Sequence, residues 1–232
     1  MTERWRKAFL AWAQTPEHHQ AVATAKAQIA QALAQSAKPL VSFSGGKDST
    51  AMLHLVLQQK PDVTVWHWDY GPAFVPRDVQ AEILQLARRL GVANLRTDTS
   101  DIYWREWRNA KNVFYRVYFG FVAPRLLQEG YDCVFVGIRA EESLKRKHRI
   151  RSGKWLNPMR EVWPLATWRW LDVWAYLVSN AVPYLSLYDS RAELVGYDRV
   201  RFATLFDPEM ADLGAESVDN VLHWRWRHEK PQ

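Results

Sequence analysis

The chain has 232 residues, 48% of them hydrophobic and 24% charged, with a net charge of +6. That length and balance describe a globular α/β domain with an appendage rather than a disordered or fibrous chain. No apolar run approaches a membrane span and the N-terminus lacks a signal peptide's apolar core, so the expected setting is the cytoplasm, away from membranes. A lone cysteine, Cys133, excludes an internal disulfide and an iron–sulfur cluster held by this chain's own thiols.

Residues 1–36 are rich in Ala and Gln, with Pro16 as the main breaker. From Glu17 to Gln35, Val22, Ala25, Ile29 and Leu33 form one helical stripe. This is a helical extension that packs on the core or on a partner subunit. The core is expected over 37–190, with loops and short helices over 191–232.

Lys38 to Phe43 reads as the first buried strand. It turns through Ser44-Gly45-Gly46-Lys47-Asp48-Ser49 into a helix-like run, Thr50 to Gln59, which stops before Pro61. A strand feeding paired glycines at a helix start makes an anion site: the backbone N–H groups turn toward one point and the helix dipole favours negative charge. Ser44 and Ser49 bring hydroxyls, Lys47 a positive charge, and Asp48 is a candidate cap in the first turn. The spacing is not that of Walker A.

Val63 to Trp68 is the second strand, ending in Asp69-Tyr70-Gly71-Pro72. A carboxylate there lies near the ligand-binding edge of an α/β sheet, so Asp69 either holds a metal or ribose hydroxyl or caps its own turn. Val75 to Leu90 is an amphipathic helix stopped by Gly91. A short strand near Asn94 to Thr97 follows, then a mostly helical stretch from Trp104 to Gln128 with a break near Gly120 and Pro124. Cys133 to Val136 is the fourth strand, which makes Cys133 a core thiol.

The loop after that strand begins at Gly137 and carries Arg139, Ser143 and Arg146. With Glu142 onward helical, these three converge on one face and suit a phosphate or sulfate. Between Gly137 and Arg160 stand eight Lys or Arg against Glu141 and Glu142, an excess equal to the whole chain's +6. So concentrated a charge implies an anionic partner: nucleotide phosphates, sulfate or nucleic acid. Thirteen tryptophans, several alternating with arginine, fit base stacking or, more simply, large rings packed under a basic surface. Thr167 to Val178 reads as a helix capped by Thr167, after which regularity fades from Pro183.

Ser44 to Ser49 resembles the PP-loop of the ATP pyrophosphatases, the adenine nucleotide alpha hydrolases. Together with Gly137-x-Arg139-x-x-x-Ser143-x-x-Arg146, Pro164-Leu165 and Asp172-Val173-Trp174, it is similar to the phosphoadenosine phosphosulfate (PAPS) reductase family. That family also contains the small subunit of bacterial ATP sulfurylase. The resemblance covers roughly Lys38 to Asp189. It implies a doubly wound, mainly parallel five-stranded sheet with helices on both faces and an adenine nucleotide at the C-terminal strand edge.

The nucleotide would be ATP with Mg²⁺, or PAPS. Its site would comprise Ser44, Gly45, Gly46, Lys47, Asp48, Ser49, Asp69, Gly137, Arg139, Ser143 and Arg146, with Lys47, Arg139 and Arg146 acting on the reacting phosphates. The family's reductases use a C-terminal Cys-Gly segment that has no counterpart here. Its acidic residue beyond the second strand is replaced by Arg77-Asp78 after Pro76. The leading expectation is therefore adenylyl transfer from ATP to an oxyanion or a nucleobase. The alternatives are sulfonucleotide chemistry with a partner's thiol, or a nucleic-acid-binding module. A homo-oligomer or a partner subunit, such as a GTPase subunit, follows by resemblance only.

Overall fold

The computed structural model describes residues 1–72, 75–99, 117–155 and 158–200. Its elements are α1 (Glu3–Ala13), α2 (Pro16–Ala34), β1 (Pro39–Ser42), α3 (Lys47–Leu57), β2 (Thr64–Asp69), α4 (Arg77–Arg89), β3 (Asn94–Thr99), α5 (Ala123–Gln128), β4 (Cys133–Phe135), α6 (Leu144–Ser152), β5 (Arg160–Val162), α7 (Trp170–Ser179) and α8 (Leu187–Val195). A π-helical turn, Tyr118–Val122, precedes α5. It falls at the predicted break near Gly120, whereas the rest of the helix expected from Trp104 lies outside the described residues.

All five strands are parallel, in the order β3-β2-β1-β4-β5. The chain winds outward from β1 through β2 to β3, then returns to place β4 on the other side of β1. Alternation along the strands divides the side chains between two layers. Val41, Phe43, Val65, Cys133 and Phe135 pack beneath α1–α4, α7 and α8. Leu40, Trp66, Trp68 and Val134 pack against the π turn and α5. Helices thus cover both faces, as the resemblance implied.

The N-terminal extension packs on the chain's own core. Phe9 is fully buried, stacked on Trp174 at 6.0 Å. Asp172, on α7, accepts hydrogen bonds from Trp12 Nε1 (2.7 Å) and the Arg169 N–H (2.8 Å), and lies 3.3 Å from His18 Nδ1.

Two local readings are corrected, and one strand had no local reading. The Thr167 cap is not used: α7 starts at Trp170, and Asp172 reaches back to the Arg169 N–H instead. The stretch after Pro183 regains order as α8, held by Tyr188 and Ala192 in the core. The edge strand β5 carries too little apolar sequence to announce itself, yet it pairs with β4 from Cys133↔Arg160 to Phe135↔Val162. Among the described tryptophans, Trp66, Trp68, Trp168 and Trp174 are buried and serve the core. The Trp104–Arg108 and Trp224–Arg227 alternations lie outside the described residues.

Candidate nucleotide site

β1 and β4 are neighbours whose onward connections diverge, so their C-terminal ends form the switch point at which open α/β sheets usually bind ligands. Val41 pairs with Phe135, so the loop after β1 and the loop after β4 leave the sheet side by side. Gly45 takes a left-handed turn (φ +80°), and a Cβ there would meet Ile83 Cγ1 at 2.6 Å. Gly137 brings the second loop against the first turn of α3. A Cβ there would stand 3.0 Å from Ser49 Cα and N.

α3 begins at Lys47, three residues earlier than the sequence pattern suggests, so Lys47, Asp48 and Ser49 form its first turn. The loop closes on itself through hydroxyls. Ser49 Oγ accepts from the Ser44 N–H (3.3 Å) and donates to the Gly46 carbonyl (2.9 Å), while Ser44 Oγ accepts from the Gly46 N–H (3.3 Å). The Lys47 N–H donates to the Tyr188 hydroxyl at 2.8 Å, a contact spanning 141 residues. Sequence reading gave Tyr188 no role in the site, since nothing local marks so distant a cap.

Asp48 does not cap the helix as expected. Its carboxylate takes the Arg139 guanidinium and, at 3.1 Å, the Lys47 ammonium. Burial raises the Asp48 carboxyl, but Arg139 and Lys47 overcome this and hold it well below the usual carboxylate range. Burial pushes Lys47 below its ordinary value, opposed by Asp48 and reinforced by Arg139. For Arg139 burial acts downward, but Asp48 and Glu142 more than offset it and the guanidinium is held above its ordinary value.

The second loop is built differently from the expected helical face. Arg139 is extended (φ −128°, ψ 142°), 1% exposed, and precedes a 3₁₀ turn over Ala140–Glu142. Its guanidinium also reaches Glu141 at 2.7 Å, and its N–H donates to Glu142 at 2.9 Å. Ser143 spends its hydroxyl as the N-cap of α6, accepting from the Arg146 N–H at 3.1 Å. Arg146 pairs with Glu142. Arg139, Ser143 and Arg146 therefore do not share one helical face, because the intervening backbone is extended and 3₁₀ rather than α-helical. Arg139 joins Lys47 at Asp48. Glu141 and Glu142, read only as dilution of a basic run, organise both arginines.

Asp69 accepts from the Gly71 N–H (2.7 Å) and from Arg77 Nη1 (2.8 Å). It is thus engaged as a turn cap and ion pair, with Arg77 standing where the family pattern has an acid. Among the described residues no group of three or more His, Cys, Asp or Glu side chains is placed to hold a metal. The described residues alone thus make no Mg²⁺ cage, and this ion commonly arrives bound to substrate phosphates. Cys133 is 1% exposed on β4, and burial pushes its thiol up.

A sequence profile of the phosphoadenosine phosphosulfate reductase domain matches residues 38–200. An uncharacterized protein of Methanocaldococcus jannaschii is 26% identical over 82% of this chain and 46% of its own length. Sulfate adenylyltransferase subunit 2 of Magnetococcus marinus is 28% identical over 68% of this chain and 63% of its own. The same subunit of Burkholderia lata is 26% identical over 85% and 76%. This chain therefore spans less than two thirds of the first two relatives. The crystal structure of phosphoadenylyl-sulfate reductase from Candida auris shares the fold, with a TM-score of 0.53 at 17% identity over 72% of this chain and 85% of that one.

Proposed function

The chain belongs to the phosphoadenosine phosphosulfate reductase domain family, and from that premise we propose that it is an ATP-using adenylyltransferase. An acceptor oxyanion attacks the α-phosphorus of ATP, the bond from that phosphorus to the α,β-bridging oxygen breaks, and pyrophosphate leaves. The observation that carries this reading is the meeting of Lys47 and Arg139 on Asp48, in the loops that follow the C-terminal ends of β1 and β4. Charge developing on the pyrophosphate would be met by the Lys47 ammonium and by N–H groups at the start of α3. Arg139 and Arg146 would hold the acceptor or the distal phosphates.

Three cations (Lys47, Arg139, Arg146) face three carboxylates (Asp48, Glu141, Glu142) in this cluster. An entering anion must compete with those carboxylates for the same donors, which favours a polyphosphate over a monoanion. Mg²⁺ would enter with the nucleotide, and no step here depends on it. Reduction by this chain's own thiol is disfavoured because Cys133 is buried and held as the thiol. The relatives named sulfate adenylyltransferase subunit 2 make sulfate the first acceptor to try.

Calorimetric titration with Mg-ATP and with PAPS, on wild type and Arg139→Gln, tests the reading. Mg-ATP should bind in preference, Arg139→Gln should weaken it about tenfold or more, and an accepted oxyanion should release pyrophosphate. Preferential binding of PAPS would replace adenylyl transfer with sulfonucleotide chemistry. Failure of both ligands at millimolar concentration would remove the nucleotide site altogether.

A further inference from the structure

Six of the eight cations in the second loop's charge excess fall into two sets. Arg139, Arg146 and Arg149 are engaged by carboxylates: Arg139 by Asp48 and Glu141, Arg146 by Glu142, and Arg149 by Glu161, with its guanidinium also 5.4 Å from the Trp163 ring. The Arg139–Asp48 and Arg149–Glu161 pairs tie the segment to the body of the protein. Lys147, Arg151 and Lys154 are exposed, and among the described residues they form no ion pair.

α6 itself contributes no buried residue. It has no carboxylate, and its Lys145/Arg149 and Lys147/Arg151 pairs set like charges one turn apart, which destabilises an isolated helix. What holds it is the Ser143 cap, the left-handed Gly153 (φ +64°) at its end, and the two anchoring arginines. The outer cations add only repulsion to that arrangement, so packing and folding do not account for them. Immediately beyond the helix, next to Lys154, Trp155 is 49% exposed, unlike the buried tryptophans of the core.

We propose that the outer face of α6, continued by Lys154 and Trp155, is a docking ridge for single-stranded nucleic acid. The basic ladder would follow the phosphate backbone, and Trp155 would stack on an unpaired base. An acidic protein surface would satisfy the lysines and arginine but give no use to an exposed indole at their end. Duplex keeps its bases stacked internally and out of that ring's reach. The ridge lies outside the Lys47–Arg139 cluster and starts one residue after Ser143. The inference goes beyond the nucleotide reading and does not require it.

Fluorescence anisotropy with labelled 20-mers of single-stranded RNA, single-stranded DNA and the matching duplex tests this, with polyglutamate as competitor. Variants are Lys147→Glu/Arg151→Glu and Trp155→Ala, each checked for an unchanged melting temperature and for unchanged Mg-ATP titration. Either single strand should bind, with log K falling against log salt at a slope of about −2 for three phosphate contacts. The double reversal should flatten that slope by about 1.4, and Trp155→Ala should weaken binding about fivefold or more. Equal binding of duplex, displacement by polyglutamate at matched charge, or no binding at about 50 mM salt would each overturn the proposal. ATP titration on the same samples reports separately whether the nucleotide reading stands.

Discussion

Gly137→Ala probes the contact on which the two-loop site depends. The added Cβ would lie 3.0 Å from Ser49 Cα, 3.0 Å from Ser49 N and 3.1 Å from the Asp48 carbonyl carbon. That is closer than ordinary van der Waals contact, so the loop after β4 must retreat by a few tenths of an ångström. All three crowded atoms are backbone in the first turn of α3, and no side-chain rotation relieves them. Overpacking of this kind costs about 1–3 kcal/mol, which for a chain of this size lowers the melting temperature by about 3–10 °C. Arg139, two residues on, moves with the loop and away from Asp48, and Mg-ATP affinity should fall about tenfold or more. Differential scanning calorimetry and ATP titration measure both effects. Gly91→Ala is the control: Gly91, unlike Gly137, has a positive φ (+80°), but nothing lies within 4 Å of its added Cβ, so its cost is backbone strain without crowding. That variant should lose stability while keeping its affinity. Unchanged affinity in Gly137→Ala, with or without a lower melting temperature, would refute the idea that this contact aligns the site.

Two further outcomes follow from groups outside the proposed chemistry. Burial raises the Asp172 carboxyl, but bonds from His18, Trp12 and Arg169 bring it down to about 2, against 3.8 in the unfolded chain. A depressed carboxyl stabilises fully above the unfolded value and ceases to do so as pH falls through the folded one. The contribution of about 2 kcal/mol should therefore be intact above pH 4 and disappear toward pH 2. Urea unfolding of wild type and Asp172→Asn should show a stability gap that narrows over that interval, whereas a pH-independent gap would contradict the assignment. Tyr188→Phe leaves the Lys47 N–H without its acceptor and should cost about 1–2 kcal/mol. Saturating ATP should narrow the melting-temperature difference from wild type if a phosphate oxygen takes over that N–H. An unchanged difference would mean that phosphate does not reach it.

Much of the fold could be read locally because its signals are local. β1, the glycine turn and α3 follow one another without interruption, and α4 shows an apolar stripe that ends at Gly91, with Ile83 and Leu86 buried as the stripe requires. β5 could not be read this way. Its Arg160 and Glu161 look like surface residues until Arg160 meets Gln35, 125 residues away in the chain, and Glu161 meets Arg149 on α6. The site divides similarly. The motif residues mark which loops meet, but the direction of Arg139 depends on an extended backbone and on carboxylates from two segments, neither encoded by the spacing of Arg139, Ser143 and Arg146. Asp69 was ambiguous for the same reason, and its contacts with Gly71 and Arg77 show how its oxygens are used.

The hydrogen bond from Lys47 to Tyr188 also bears on how the protein is made. Synthesis proceeds from the N-terminus, so β1, the glycine turn and α3 leave the ribosome long before α8 exists. Until α8 docks, the leading N–H of α3 lacks its acceptor and the aromatic cluster of Trp174, Tyr184 and Tyr188 is incomplete. A nascent chain halted before Tyr188 therefore carries the whole glycine motif without its finished geometry. On the proposed reading, nucleotide capture during translation would mark the docking of α8 rather than the appearance of the motif.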